Sequence, residues 1–331
     1  MELVCPAGTL PALEAAVDNG ADWVYIGFRD ETNARNFAGL NFDPAAAHQG
    51  IAYAHARGAR VLVAINTYPQ PAHWTRWTAA VDQAAALEAD AVILADLGLL
   101  RYAAATHPQL ALHLSVQSSA TSYEAINLYR KLFGIRRAVL PRVLSLAQVA
   151  HVVAHTDVPI EVFGFGGLCV MLEGRCFLSS FVTGQSPNTA GVCSPARSVR
   201  WAPRGDGMDT RVGPVLVNRF GPGEKAGYPT LCKGRYEVAR QVYYPFEEPV
   251  SLNTLELLPQ LLAMGVRAIK LEGRQRSPAY VERITRVWRA AIDTCRRDPT
   301  AYTVRPEWVH ALAAVSEGQQ CTLGAYHRPW K

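Results

Sequence analysis

Short segments typical of β-strands alternate with helical segments along most of this 331-residue chain. Seven such strands are expected before residue 167, and an eighth after residue 250. The predicted strands span residues 3–7, 23–28, 60–66, 91–96, 110–117, 138–143, 160–165 and 268–272. Eight strands with helices between them predict an α/β fold of the parallel (β/α)8 barrel type. A doubly wound open sheet is the alternative.

The alternation stops between residues 167 and 250, a segment rich in Gly, Pro, Arg and aromatic residues that lacks a clear helical period. Within it, residues 215–218 are predicted to form one strand of a hairpin. The alternation resumes with a predicted helix over residues 251–264, and a short helix is expected over 306–315. We therefore predict one domain over residues 1–331, with 167–250 as an insertion between strands seven and eight and 299–331 as a tail packed on the barrel. Such a loop emerges at the C-terminal face, where barrel active sites lie.

Polar residues mark several predicted helix starts. Asp43 followed by Pro44, and Ser277 followed by Pro278, combine a cap residue with a proline in the first turn. Two segments have the spacing of a capping box, namely Thr121 to Glu124 and Ser145 to Gln148. The helix that starts at Ser277 is expected to continue to Cys295.

Four cysteines lie in or next to the insertion: Cys169, Cys176, Cys193 and Cys232. Their spacing is C-x6-C-x16-C-x38-C, and glycines such as Gly174 and Gly191 lie close to them. Four thiolates on loops are a complete ligand set for one tetrahedral metal ion or one iron–sulfur cluster. The paired C-x2–4-C knuckles usual at zinc sites are missing, which favours an iron–sulfur cluster. Four buried free cysteines are the alternative.

Three further cysteines lie outside this set. Cys295 ends a long helical segment and is expected to pack in the core, whereas the sequence assigns no role to Cys5 or Cys321. The first residues show no signal peptide, and no apolar stretch is long enough to span a membrane. A cytoplasmic protein is expected, in which reduced cysteines favour metal ligation over disulfides.

Polar residues follow the predicted strands at their C-terminal ends. Because these ends meet at one face of a barrel, we predict a binding site there. Its candidate residues are Asn66, Asp96, Gln117, Arg142, Glu272 and Arg274, with Asn33, Arg35 and Asn41 in the loop after strand two. An arginine can bind a carboxylate through two hydrogen bonds. The alternative is that some of these side chains cap helices or pair with each other.

Several kinds of chemistry have no sequence support. There is no H-E-x-x-H or G-x-S-x-G hydrolase motif, no G-x-G-x-x-G after a strand, and no C-x3-C-x2-C triplet. His113 lies on predicted strand five and is expected to be a core residue. The net charge of +5 permits nucleic acid or an anionic small molecule as a partner and requires neither.

The region from Glu161 to Ser179 resembles the signature of the collagenase-like peptidase family U32. The matching residues are Glu161, Phe163, Gly166, Gly167, Leu168, Cys169, Gly174, Cys176, Leu178 and Ser179. The segment from Lys270 to Arg274, together with Tyr280, is similar to a second block of the family.

Within this family, further segments resemble members that act in oxygen-independent ubiquinone biosynthesis. They are the segments 33–35, 39–42, 140–145, 186–197, 227–235 and 323–328. This resemblance implies that Cys169, Cys176, Cys193 and Cys232 bind one [4Fe-4S] cluster. It also implies a paralogous partner, UbiV, in a heterodimer, and a lipid-binding accessory protein, UbiT. The implied activity is hydroxylation of a ubiquinone-precursor ring, with prephenate as the oxygen donor, and peptidase activity is not expected.

Three functions therefore remain open. The first is the iron–sulfur subunit of an oxygen-independent ring hydroxylase, in which Arg35, Arg142 or Arg274 would hold a dicarboxylate oxygen donor. The second is hydroxylation of RNA bases, because other members of the family act on RNA and the insertion carries cations near aromatic residues. These cations are Arg197, Arg200, Arg204, Lys233 and Arg235. The third is a non-catalytic scaffold held together by zinc.

Overall fold

A computed structural model describes residues 1–169, 171, 176–187, 192–224 and 226–327. Gly174, Gly191 and Arg328 of the motifs above lie outside the described residues. Strands and helices alternate through the first half of the chain. The strands are β1 (Glu2–Pro6), β2 (Trp23–Ile26), β3 (Arg60–Ile65), β4 (Ala91–Leu94), β5 (Ala111–Leu114), β6 (Arg137–Val139) and β7 (Ile160–Gly167). The helices are α1 (Leu10–Asp18), α2 (Pro44–His55), α3 (Trp74–Ala86), α4 (Leu97–Thr106), α5 (Tyr123–Phe133) and α6 (Leu146–Ala154).

The described part of the insertion after β7 includes the short helix α7 and two small antiparallel sheets. Helix α7 (Phe177–Thr183) packs its inner side chains, Leu178 and Val182, against the first sheet. That sheet consists of β8 (Val199–Arg204), β9 (Gly207–Val212) and β10 (Val215–Phe220), and a hairpin follows with β11 (Tyr236–Val238) and β12 (Gln241–Tyr243). The strand expected at 215–218 is therefore confirmed.

The chain then returns to the barrel through β13 (Ser251–Asn253), α8 (Leu258–Ala263) and β14 (Ala268–Leu271). Strand β14 pairs in parallel with both β1 and β7, so eight parallel strands close on themselves. Helix α9 (Pro278–Arg297) packs on the outside, followed by α10 (Pro306–Ala313) and β15 (Cys321–Thr322). The predicted (β/α)8 barrel is confirmed.

Some local predictions were wrong. Ser251 begins a strand rather than a helix, because β13 pairs antiparallel with the end of β7 and parallel with β15. Helix α5 is capped by Ser122, whose hydroxyl accepts a hydrogen bond from the Ala125 amide, and not by Thr121. The capping box of Ser145 and Gln148 is present as predicted.

The interior of the barrel differs from the apolar layers between the sheet and the helices. Small and apolar side chains such as Val4, Leu62 and Ala64 occupy part of it. Between them lie charged side chains, with Glu161 contacting both Arg137 and Lys270. His113 is buried beside the ring of Trp23, which confirms the expected core position.

Candidate functional site

A pocket opens at the C-terminal end of the barrel strands. We call it the mouth pocket. Its charged and polar lining residues are Tyr25, Arg35, Asn66, Ser115, Gln117, Arg142, Lys270, Glu272, Arg274 and Gln275. Apolar walls come from residues such as Val116, Val139 and Phe163. Six of the residues predicted from strand ends, Arg35, Asn66, Gln117, Arg142, Glu272 and Arg274, thus lie together, although their roles stay a prediction.

Glu272 is the central carboxylate of this pocket. Its Oε2 accepts a hydrogen bond from Arg142 Nη1 at 2.8 Å, and its Oε1 accepts one from Arg35 Nη2 at 2.9 Å. Burial raises the pKa of Glu272, but the charges of Arg142 and Arg35 outweigh burial and hold it at about 2. Glu272 is therefore a carboxylate at neutral pH and a weak base.

Gly166 allows Glu272 to lie against strand β7. A Cβ atom on Gly166 would lie 2.4 Å from the Cβ of Glu272, and the φ angle of Gly166 is +136°. An L-amino acid with a side chain rarely adopts this backbone conformation. The glycine of the family signature therefore serves a close approach between two neighbouring strands, which aims Glu272 at the two arginines.

Arg274 differs from the other two arginines of the pocket. It is buried, it donates a hydrogen bond from Nη1 to Asn33 Oδ1 at 3.0 Å, and its guanidinium lies over the ring of Tyr25. In the part of the chain that the structure describes, no carboxylate lies within ion-pair distance of it. Burial lowers the pKa of Arg274 to about 10, so the side chain remains a cation at neutral pH.

The mouth pocket carries an excess of positive charge. Of its described lining residues, four are cations and one is a carboxylate, and one of the cations, Lys270, is paired with Glu161 below the pocket floor at 2.8 Å. Arg142 and Arg35 both contact Glu272, whereas no described carboxylate lies within ion-pair distance of Arg274. In addition, Gln117 Oε1 is buried and accepts no hydrogen bond from the described residues. A buried unpaired acceptor and a buried cation without a carboxylate beside it are what an anion with a hydroxyl group would satisfy.

The other candidates from the sequence have local structural tasks. Asp96 caps α4 by accepting a hydrogen bond from the Leu99 amide at 2.9 Å, and it does not line the pocket. Asn33 and Asn41 shape the loop after β2, since Asn33 donates to the Phe28 carbonyl and Asn41 donates to the Arg35 carbonyl. For Asp96 the capping alternative is thus the correct one.

The four cysteines of the insertion come close enough to influence each other electrostatically. Burial raises the pKa of Cys232 to about 12; the charge of Lys233 lowers it, and those of Cys169, Cys193 and Cys176 raise it. Burial also raises the pKa of Cys193, with a contribution from Cys176. Among the described residues, however, no three His, Cys, Asp or Glu side chains are arranged as ligands of one metal ion.

The donor set nevertheless suits an iron–sulfur cluster chemically. All four thiols are half-buried and free of disulfides. Burial and mutual repulsion disfavour four thiolates unless a cationic metal core compensates for their charge. We therefore take the four residues to fit such a cluster, and the cluster itself remains a prediction.

The cysteine loops adjoin the mouth pocket. Glu272 Oε2 and Lys233 Nζ both lie within 4 Å of the position that a Cβ atom on Gly167 would occupy. Gly167 is two residues from Cys169, and Lys233 directly follows Cys232. Lys233 also forms an ion pair with Glu317 of the C-terminal tail. A cluster on these cysteines would thus lie next to the pocket.

Three of the five cations that were considered for RNA binding form ion pairs. Arg204 pairs with Asp209 at 3.1 Å, Arg235 pairs with Glu224 at 3.0 Å, and Lys233 pairs with Glu317. Asp209 is shared with Arg219, whereas Arg197 and Arg200 are exposed. A carboxylate beside each of the three paired cations weakens the local positive potential there.

Sequence reasoning missed Lys270 and Tyr25. Lys270 lies on β14, two residues before Glu272, which directly follows that strand, and side chains two residues apart share one face of an extended segment. That alternation of side chains along the strand could have identified Lys270 from the sequence.

Among the described residues, no helix is both long and apolar enough to cross a membrane.

Comparison with known proteins gives consistent results. The family model described as peptidase family U32 matches residues 8–329. The chain is 32% identical over 302 residues to an uncharacterized protease of Methanocaldococcus jannaschii, covering 89% of this chain and 65% of that protein. It is 29% identical over 318 residues to tRNA hydroxylation protein P1 of Bacillus subtilis, covering 94% and 67% respectively. It is 31% identical over 317 residues to tRNA hydroxylation protein P of Escherichia coli, covering 88% and 68%. The chain thus spans about two-thirds of the length of these curated relatives.

Proposed function

Since the chain belongs to peptidase family U32, we propose that it is a hydroxylase that acts, without molecular oxygen, on a base in RNA. The names of its relatives from Bacillus subtilis and Escherichia coli support hydroxylation of tRNA. The observation that carries the proposal is the mouth pocket, in which Arg274 has no described carboxylate within ion-pair distance and the Gln117 oxygen is unpaired. A barrel mouth is where such a fold carries its chemistry.

The pocket charge also defines the class of oxygen donor. A hydroxyl-bearing dicarboxylate would place one carboxylate on Arg274 as its first ligand, with Arg142 and Arg35 beside it. Gln117 Oε1 would accept the hydrogen bond of the hydroxyl group. By family analogy this donor is prephenate.

Replacing Arg274 by Gln is expected to weaken dicarboxylate binding. A charge-assisted hydrogen bond contributes about 1.5–3 kcal/mol, which corresponds to a roughly 10- to 100-fold higher Kd. Isothermal titration calorimetry with prephenate on the purified protein measures this. Arg101→Gln, which removes an exposed arginine on α4, is the matched control and should leave Kd unchanged. Equal Kd values for the Arg274 variant and the wild type would remove the dicarboxylate from this pocket.

We further propose that Cys169, Cys176, Cys193 and Cys232 hold one [4Fe-4S] cluster. Such a cluster would supply one-electron chemistry next to the pocket. The side chains of the pocket would then bind the oxygen donor, orient the substrate ring, and exclude water from the donor and the ring.

A second candidate is supported by the pairing of cations in the insertion. Because Arg204, Lys233 and Arg235 each have a carboxylate beside them, these three side chains attract RNA phosphates less than unpaired cations would. The sequence resemblance to the ubiquinone branch offers a smaller substrate. In this second proposal the protein is of the UbiU type, hydroxylates a ubiquinone-precursor ring, and works as a heterodimer with UbiV and with UbiT nearby.

One anaerobic assay separates the two candidates. The protein, purified without oxygen, is incubated with prephenate and either unmodified tRNA or a ubiquinone precursor, with and without UbiV. Nucleosides and quinones are then analysed by mass spectrometry for a gain of one oxygen atom. We expect hydroxylated nucleosides with the protein alone. Ring hydroxylation that requires UbiV would establish the second candidate instead, and no product from either substrate would reject both.

A further inference from the structure

A file of charged side chains runs through the inside of the barrel. Arg137 contacts Glu2 at the N-terminal end, and its Nη1 lies 3.2 Å from Glu161 Oε2. Glu161 Oε1 in turn lies 2.8 Å from Lys270 Nζ. All three of Arg137, Glu161 and Lys270 are buried, with side chains 7% exposed or less. Lys270 is the member of this file that reaches the mouth pocket.

Stability does not account for this arrangement. Burying an ion pair costs so much hydration energy that well-packed apolar side chains are often equally good or better. The interiors of such barrels are usually filled by branched apolar residues. A charged pair directly under the pocket floor therefore indicates a role in what happens inside the pocket.

The other ionisable groups that line the pocket cannot exchange a proton near neutral pH. Glu272 is held as a carboxylate by two arginines, and arginines themselves keep their protons. The Tyr25 hydroxyl donates a hydrogen bond to the Leu271 carbonyl at 2.7 Å, and burial raises its pKa. Among the described lining residues, Lys270 is therefore the remaining ionisable group that could exchange a proton.

The surroundings of Lys270 favour such a role. The charged groups facing it are Glu161 on β7, Arg137 on β6 and Arg274 after β14, and its Nζ lies 4.0 Å from the centre of the Tyr25 ring on β2. Burial lowers the pKa of Lys270, Glu161 raises it, and the two arginines lower it; the result is a pKa below the usual value. The neutral amine is thus more accessible than in an exposed lysine.

We propose that Lys270 is the catalytic base of the mouth pocket, which takes the proton from the ring carbon that is hydroxylated. This inference rests on the proposed hydroxylase function. As the ring carbon gains its oxygen, its C–H bond breaks, the electron pair of that bond returns to the ring, and the proton moves to Lys270 Nζ. The ring is oxidised by two electrons, and the hydroxyl-bearing dicarboxylate is reduced as its C–O bond breaks. The proton on Lys270 then completes the new C–H bond of the donor, so that the amine is regenerated.

Lys270→Arg tests the proposal, because it keeps the positive charge beside Glu161 but cannot release a proton near neutral pH. We expect single-turnover hydroxylation to fall 100-fold or more, in the range usual for loss of a general base. The melting temperature and the Kd for prephenate should stay close to the wild-type values. Wild-type rates should rise with pH as the amine loses its proton, whereas residual rates of the variant should not. Lys131→Arg, at an exposed lysine on α5, is the matched control.

Two outcomes would overturn the assignment. One is a Lys270→Arg variant that keeps more than a third of the wild-type rate. The other comes from the wild-type protein alone: an NMR titration in which the Lys270 ε-carbon shows no loss of the proton below the pH of an ordinary lysine. This second measurement remains valid if the variant fails to fold, and also if the wild type hydroxylates no substrate, in which case the proposed function fails separately.

Discussion

Replacing Glu272 by Ala is expected to lower the free energy of unfolding by about 3–5 kcal/mol, because it removes the carboxylate that the buried Arg142 and the partly exposed Arg35 share. Arg142 and Arg35 contact opposite oxygens of this carboxylate at 2.8 and 2.9 Å. The Arg142 side chain is only 5% exposed, so water cannot readily replace the lost partner. Urea unfolding at neutral pH measures the change.

The matched control is Glu282→Ala. Glu282 also pairs with an arginine, Arg286, but on the exposed surface of α9. Exposed pairs of this type contribute at most about 0.5 kcal/mol. If both variants lost the same small amount, burial would not be what makes the Glu272 pairs important, and the charge balance of the pocket would need revision. Added dicarboxylate should partly restore the stability of the Glu272→Ala variant, since it supplies negative charge at the same place.

Protonation of Glu272 is expected to make the fold less stable in acid. The pKa of Glu272 is about 2 in the folded protein, below its ordinary value near 4.5. A carboxyl group with a lowered folded pKa stabilises the fold above its unfolded pKa and loses that contribution as the pH falls through the folded pKa. Stability should therefore decline between about pH 4.5 and 2, with a contribution of roughly 3 kcal/mol at stake. In Glu272→Gln this part of the decline should be absent.

The periodicity of the sequence was sufficient to predict the barrel. Eight segments of strand character, separated by helices, leave few ways to close a sheet, and the structure has eight parallel strands in the order of the chain. The position of the mouth pocket followed from the same argument. Arg142, Glu272 and Arg274 follow the strands that meet there, and strand ends of a parallel barrel all point to one face.

Pairing between distant residues could not be predicted. The sequence shows Glu161 and Lys270 on two separate strands, and only the closure of the barrel between β7 and β14 brings them to 2.8 Å. Similarly, Asp96 is a residue type that either caps a helix or binds a ligand, and the choice depends on where α4 begins. The position of a residue at the C-terminal end of a strand therefore predicts that it lies near the site, but it does not predict the role of that residue.

The insertion shows a second limit of sequence reasoning. Helix α7 has seven residues, fewer than two full turns, so no helical period could be recognised. Two of its side chains, Phe177 and Phe181, are 79% and 91% exposed, which further obscures the usual apolar pattern. Its first turn is organised by Cys176, whose sulfur accepts a hydrogen bond from the Ser179 amide. Here a cysteine cap and only two inner apolar side chains, Leu178 and Val182, organise the local structure.

The last prediction concerns the iron and sulfide content of the protein and its dependence on the four cysteines of the insertion. We expect the protein purified without oxygen to contain about four irons and four sulfides per chain. Serine at Cys169, Cys176, Cys193 or Cys232 should remove most of both, together with the visible absorption and the EPR signal after reduction. The reason is that each thiol is one of four ligands and that a serine hydroxyl is a much weaker ligand for iron than a thiolate. Hydroxylation should be lost in all four variants.

Cys321→Ser provides the control, because Cys321 is exposed and lies outside the set. It should retain iron, sulfide and activity at wild-type levels. A protein with one zinc and no sulfide would exclude a redox role for the insertion and leave a zinc-stapled scaffold beside the mouth pocket. A protein whose iron survives three of the four substitutions would show that the pattern C-x6-C-x16-C-x38-C is not a ligand set. In either case the chemistry of the pocket would depend on Lys270, Glu272 and the three arginines alone.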